Sequence, residues 1–147
     1  MPSRFLAHSS AQQRLLLEAC WFLLVARLGL WTLSFTRLMA TLHGRSRTAR
    51  ATPQEDIRDT RWAVEASARR LPWSLTCLPQ ALAAAWMLQR RGHAPALVYG
   101  VSQGFAAHAW VELEGVPVVG DRAAGGFTVL ARFPAAVGSA AVPGSAA

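Results

Sequence analysis

The stretch CLPQALAAAWMLQRRGHAPALVYGVS, residues 77–102, holds a helix signal followed closely by a strand signal. Residues 78–91 are rich in Ala, Leu, Met, Gln and Arg, which favour helices, and Gly92 then provides a C-terminal stop. Residues 96–102 are an apolar run bounded by turn residues, which is typical of a strand. We therefore predict a helix with Cys77 at its N-terminus, followed directly by the first strand of a sheet.

The sheet continues in FAAHAWVELEGVPVVGD, residues 105–121, which reads as two strands on either side of Glu114-Gly115. A two-residue hairpin loop at Glu114-Gly115 would fix the cross-strand pairs. The predicted pairs are Leu113–Val116, Val111–Val118, Trp110–Val119 and His108–Asp121. Directly opposed residues have Cβ atoms about 4.5–5.5 Å apart, so the Asp121 carboxylate would reach the His108 imidazole. A loop one residue longer would offset every pair.

These positions suggest a nucleophilic site. A thiol at a helix N-terminus, as predicted for Cys77, has its thiolate stabilised by the helix dipole and by free N–H groups. An imidazole within reach activates such a thiol, and a carboxylate orients the imidazole. Cys77 on a helix, His108 on a strand and Asp121 on the next strand form an order that can bring all three to one point. The simpler alternative is that Cys77 and His108 only pack.

Further candidates surround this site. Gln80 lies one helical turn from Cys77 and is a candidate oxyanion donor, although a solvated surface glutamine is the commoner role. Trp110 and Glu112 share the strand face of His108. Trp110 either shields the His–Asp pair or packs, and Glu112 replaces Asp121 as the orienting acid if the hairpin slips. Three more residues, Arg61, Trp62 and Arg69, are candidates for a peptide groove.

The N-terminal third is a long apolar segment at residues 11–43. Glu18, Arg27 and Arg37 are among the charges that interrupt it, whereas a spanning helix needs about 20 predominantly apolar residues. We predict one or two helices buried against the domain or a partner, and a peripheral membrane contact through residues 14–42 is the alternative. Thr52 and Pro53 then begin another helix that runs to about Arg70.

The domain organisation follows from these segments. We assign residues 1–50 to the apolar helical segment and a basic linker, residues 51–133 to the core, and residues 134–147 to a disordered Ala/Gly/Ser/Pro-rich tail. The predicted order is thus helices, then the cysteine-bearing helix, then three antiparallel strands, which is an α+β class.

Composition limits the function classes. The 147-residue chain has 15 basic and 8 acidic residues and a net charge of +7. The basic residues are scattered apart from residues 44–50 and Arg90-Arg91, so they do not form the focused stripe typical of nucleic-acid binding. We predict no nucleic-acid partner; an acidic peptide or protein partner fits the charge equally well.

The two cysteines, Cys20 and Cys77, do not suggest a disulfide framework or a zinc site, and we predict no metal or other cofactor. Without a signal-peptide pattern, a cytoplasmic location is the default prediction. His93 follows the predicted helix and is expected to be an exposed loop residue, whereas Met39 and Met87 are expected in the core.

Several motifs together resemble the lasso-peptide leader peptidases, which are transglutaminase-like cysteine proteases. The motifs are C-L-x-x-A-L from Cys77, R-R-G at 90–92, G-V at 100–101 and A-H-A-W-V-E at 107–112. The resemblance covers about residues 55–131. It implies a transglutaminase/papain-like core, in which the helix carrying the cysteine packs on a small antiparallel sheet, preceded by an apolar helical segment.

The resemblance also implies roles and partners. Cys77 would be the nucleophile, His108 the general base and acid, and Asp121 the orienting acid. The substrate would be the leader region of a precursor peptide, presented by a separate winged-helix-like leader-recognition protein, and a macrolactam cyclase would act next. The residues before 55 are helical and apolar, which favours a separate recognition protein over a fused one. The alternatives are another Cys-His-Asp acyltransferase, or a non-catalytic peptide-binding scaffold.

Overall fold

The computed structural model describes residues 9–42, 52–72, 76–104, 107–119 and 127–133. In these ranges the chain is α+β, as predicted, with helices first and an antiparallel sheet after them. The helices are α1 (Ser10–Thr32), α2 (Phe35–Ala40), α3 (Pro53–Arg70) and α4 (Cys77–Arg90). The strands are β1 (Ala96–Ser102), β2 (Ala107–Leu113), β3 (Val116–Val119) and β4 (Phe127–Phe133).

Local capping residues set the helix starts. Ser9 and Gln12 form a capping box at the start of α1. The apolar segment is not one helix, because the chain is extended at Leu33 and Ser34, and the Ser34 hydroxyl caps α2. Thr52 caps α3 with Pro53 in the first position, as the sequence predicts.

Helix α4 is the centre of the core. All residues from 81 to 88 are buried, so α4 is covered on every side. It packs against α1, α3 and β2, and its run of alanines lets these neighbours approach closely. Met39 and Met87 are buried in this core, as predicted. The Trp86 indole N–H donates to the Thr41 hydroxyl at 2.8 Å, which ties α4 to the end of α2.

The sheet has the strand order β3-β2-β1-β4 and all its pairs are antiparallel. The sequence predicts three of these strands, but not β4, which pairs with β1. Its residues 128–133 are half-buried or exposed, so β4 carries a weaker apolar pattern than the other strands. The predicted tail from residue 134 lies outside the described residues.

The hairpin between β2 and β3 corrects the predicted register. Glu114 and Gly115 form the loop, both with positive φ, and Leu113 lies opposite Val116 as predicted. Beyond that, a bulge places Val111 opposite Val119, so the predicted pairs Val111–Val118 and Trp110–Val119 are wrong. Proline has no N–H to donate, and Pro117 lies next to the bulge on the edge strand β3.

His93 was expected to be exposed, and that prediction is wrong. Gly92 has a φ of 91°, which turns the chain after α4, and the His93 N–H donates to the Leu88 carbonyl. The imidazole is thereby buried, and its Nε2 lies 2.6 Å from Oδ2 of Asp56, itself buried on α3.

Arg91 extends this cluster to α1. Its guanidinium donates to both carboxylate oxygens of Glu18, at 3.0 and 2.8 Å, and lies 3.8 Å from Asp56. Burial alone would lower the pKa of Arg91, but its hydrogen bond to Glu18 and the charges of Glu18, Asp56 and Asp59 raise it overall. The cluster Glu18–Arg91–Asp56–His93 therefore joins α1, α3 and the C-terminal end of α4.

Candidate functional site

Cys77 is the first residue of α4, as predicted. The N-cap residue Thr76 makes no side-chain hydrogen bond to the helix start. Cys77 is a free, half-buried cysteine that packs against the edge of the core. The thiol thus sits where the first N–H groups of a helix have no acceptors within that helix.

His108 is the second residue of β2, and it pairs with Gly100 on β1. Its half-buried imidazole stacks on the indole of Trp110, with ring centroids 5.9 Å apart and planes inclined by 24°. Strand alternation puts His108, Trp110 and Glu112 on one face of β2. The other face, with Ala109, Val111 and Leu113, belongs to the core shared with α4.

The position of the Trp110 indole depends on Glu112 and on Gly100. Trp110 is buried, and its indole N–H donates to Oε1 of Glu112 at 3.0 Å. Arg132 on β4 donates to Oε2 of the same carboxylate at 2.6 Å, reaching across Val98 of β1. A Cβ at Gly100 would lie 2.9 Å from the carbonyl oxygen of Thr128 and 3.0 Å from the indole Cη2, so a larger residue there would force its neighbours to shift. Arg132, Glu112 and Trp110 together support the imidazole of His108.

The sequence indicates Trp110 and Glu112 as site candidates, but it does not indicate a place in the site for Gly100 or Arg132. Glu112 accepts from the indole of Trp110, which in turn stacks on His108, and its role as an alternative to Asp121 remains a prediction. The glycine in an otherwise apolar strand was the available signal for Gly100, since such a glycine often marks close approach. Arg132 lies on the strand that the sequence did not predict.

Glu112 gives the site a pH-dependent contribution to stability. Burial would raise the pKa of Glu112, but the hydrogen bonds from Arg132 and Trp110 lower it overall. Because the pKa is lower when folded, the stabilisation is complete above the unfolded value of about 4.3 and is lost as pH falls through the folded value. The arginine is partly exposed, so we expect about 1 kcal/mol or less at neutral pH.

The change Glu112→Gln is therefore expected to destabilise the protein at neutral pH and to have less effect at low pH. Urea unfolding of both proteins over a series of pH values measures this difference. Glu114→Gln, which changes an exposed glutamate of the same hairpin, is the control. A destabilisation by Glu112→Gln that stays constant down to the acid range would contradict the assigned ionic contact.

Asp121 lies outside the described residues. Because the bulge adds a residue to β3, counting from the turn no longer sets Asp121 opposite His108. Gln80 is half-buried in the first turn of α4, one turn from Cys77. Its place as an oxyanion donor remains a prediction.

The three groove candidates have different positions. Arg61 binds the edge of the sheet, since its guanidinium donates to the carbonyls of Val118 at 2.7 Å and Pro117 at 2.5 Å. Trp62 packs half-buried against the core, and Arg69 is exposed. Arg61 therefore anchors α3 to β3, a role that the groove prediction did not include. Among the described residues, no group of three His, Cys, Asp or Glu side chains is arranged to hold a metal ion.

Comparison with known protein families identifies the superfamily to which the sequence is similar. The sequence profile of the transglutaminase-like superfamily matches residues 20–132, from within α1 to β4. Neither a curated protein nor a solved structure matches the chain. The matched range includes both Cys77 and His108.

Proposed function

The chain belongs to the transglutaminase-like superfamily, and from this premise we propose that it is a cysteine peptidase of lasso-peptide biosynthesis. Members of the superfamily are generally cysteine peptidases or transglutaminases. In this proposal the enzyme removes the leader region from a ribosomally made precursor peptide. The finer assignment rests on the resemblance of the motifs around Cys77 and His108 to those of lasso-peptide leader peptidases.

The order of α4, β1 and β2 along the chain supports the proposal. Five residues, 91–95, connect α4 to β1, and both elements are about 20 Å long at the standard rise per residue. If β1 runs back along α4, then β2, antiparallel to β1, begins near the end of α4 that carries Cys77. His108, as the second residue of β2, would reach the thiol around this end of the strand.

The mechanism uses the chain's own residues. His108 takes the proton of Cys77, and the sulfur attacks the carbonyl carbon at the leader–core junction. The C–N bond breaks, the core leaves as an amine protonated by His108, and the leader remains as a thioester on Cys77. His108 then activates a water molecule, which hydrolyses the thioester and restores the thiol. N–H groups at the start of α4, with Gln80, would hold the oxyanion, and Asp121 would orient His108.

The proposed partners rest on the same resemblance. A separate winged-helix-like recognition protein would present the leader, and a macrolactam cyclase would join the new amine to an acidic side chain of the core. Ribosomal synthesis of the substrate makes the cytoplasm the expected location. No step needs a cofactor or a nucleic acid.

The deciding experiment is mass spectrometry of a candidate precursor incubated with the protein, with and without the recognition protein. The expected result is one cut, accelerated by the recognition protein and abolished by Cys77→Ala. Cys20→Ala, which changes the half-buried cysteine of α1, is the matched control and should retain the cut. Cleavage that survives Cys77→Ala would rule out the peptidase assignment, and a product joined to an added amine would indicate an acyltransferase.

A further inference from the structure

Helix α1 has a second apolar face that no described part of the chain covers. We call it the outer stripe, and its exposed members recur at helical spacing: Leu17, Trp21, Leu24, Leu28 and Trp31. Trp21 is 62% exposed and Trp31 is 86% exposed. Two large indoles in one continuous apolar row on a surface helix indicate a binding surface.

The opposite face of α1 holds the helix against the domain. Leu16, Ala19, Leu23 and Ala26 are buried against the core, and the Ser67 hydroxyl donates to the carbonyl of Leu16. By length and composition α1 could cross a membrane. Crossing would strip this packed face from α3 and α4, so the bound helix would lie along a surface instead.

The charges around the outer stripe are positive. Arg14, exposed, precedes Leu17 by three residues and so heads the same row, and exposed Arg37 follows on α2. Glu18 is the one acidic residue of α1, and its side chain is 15% exposed and bound by Arg91, with Arg90 at 3.5 Å. An anionic surface that approaches the outer stripe would therefore meet arginines, and no free carboxylate of α1 would repel it.

We propose that the outer stripe binds the surface of an anionic lipid bilayer. Indole rings favour the boundary between apolar chains and water, and leucines add buried apolar area. Exposed Leu33 and Phe35 extend the apolar surface past the end of α1, and a lipid surface accepts this irregular continuation. The positive rim supplies the attraction to acidic headgroups.

Two other occupants fit less well. The spacing of the outer stripe also suits a partner helix, but indoles at two of its five positions are poor knobs for a regular coiled coil, which favours Leu, Ile and Val. A second copy of this chain would bring the same arginines and another net charge of +7 against the first.

Flotation of the full-length protein with phosphatidylcholine vesicles, with and without phosphatidylglycerol, tests the proposal. We expect binding to the anionic vesicles, reduced roughly ten-fold or more by the double change Leu28→Ser and Trp31→Ser. Arg14→Gln and Arg37→Gln should each weaken binding about five-fold, on anionic vesicles only. The control is Val116→Ser with Leu130→Ser, which removes two exposed apolar side chains of the sheet and should have no effect.

The outcomes separate lipid from protein occupants. Failure of the wild type to float, or an equal loss in the sheet control, would overturn the proposal. Two further results would overturn it if vesicle binding is absent. One is a dimer, seen by light scattering, that the outer-stripe variant does not form. The other is co-elution with the recognition protein that the outer-stripe variant loses. Peptide cleavage without vesicles should be unchanged in the Leu28→Ser, Trp31→Ser variant, so this test is independent of the peptidase assignment.

Discussion

His108→Gln is expected to lower the rate of leader cleavage by about 10³-fold or more. General acid–base catalysis contributes about 10²–10⁴-fold, and His108 would act twice, on the Cys77 thiol and on the departing amine. Precursor binding should be almost unchanged, since in the proposed mechanism the imidazole would contact the reacting atoms rather than the rest of the leader. Single-turnover kinetics with excess enzyme would separate the chemical step from binding.

A double-mutant comparison makes this prediction specific. Residues that act as one unit are not additive, so Cys77→Ser, His108→Gln and the double variant should all fall to a similar residual rate. Losses that multiply in the double variant would mean that the two side chains act independently, and the proposed nucleophile–base pair would be wrong. Trp110→Phe serves as a control, because it keeps a ring against His108 but removes the hydrogen bond to Glu112.

The helix and turn positions could be predicted because their signals are local. Thr52 and Pro53 at the start of α3, Gly92 after α4 and the loop at Glu114-Gly115 each act through the backbone of a few neighbouring residues. Their structural roles therefore follow from sequence alone. Cys77 at the helix start was predictable for the same reason.

The details that depend on tertiary contacts could not be read from the sequence. The bulge in β3 coincides with Pro117 and with the guanidinium of Arg61, which lies 56 residues away in the chain. The burial of His93 depends on Asp56, 37 residues away. The residues adjacent to Pro117 and His93 in the sequence do not indicate the contacts with Arg61 and Asp56. The local pattern around His93 therefore indicated an exposed histidine.

In the candidate site too, the local features could be predicted and the contacts between distant residues could not. The sequence placed Cys77 on a helix start and His108 on a strand, and it grouped Trp110 and Glu112 on one strand face. It did not reveal that Arg132 on β4 binds Glu112, because that contact crosses β1. A strand register counted from the turn also fails at the first bulge, so the count no longer predicts that Asp121 lies opposite His108.

The largest effect on stability is expected from Asp56→Ala. Asp56 and His93 are both buried, with Oδ2 and Nε2 2.6 Å apart, and Arg91 lies near the same carboxylate. Removing one partner of a buried pair leaves the other without compensation, which typically costs about 3–5 kcal/mol. Urea denaturation should therefore show a large fall in the midpoint with an unchanged slope.

Asp59→Ala is the matched control for this prediction, since it removes the same side chain from the same helix. Asp59 is 44% exposed and pairs with Arg58 at 3.6 Å, so its loss should cost about 1 kcal/mol or less. Adding His93→Leu to Asp56→Ala should recover part of the loss, because both polar partners are then gone. Equal effects of Asp56→Ala and Asp59→Ala would show that the buried cluster does not stabilise the fold. If the cluster does hold the C-terminal end of α4 against α1 and α3, it also fixes the axis along which that helix directs Cys77.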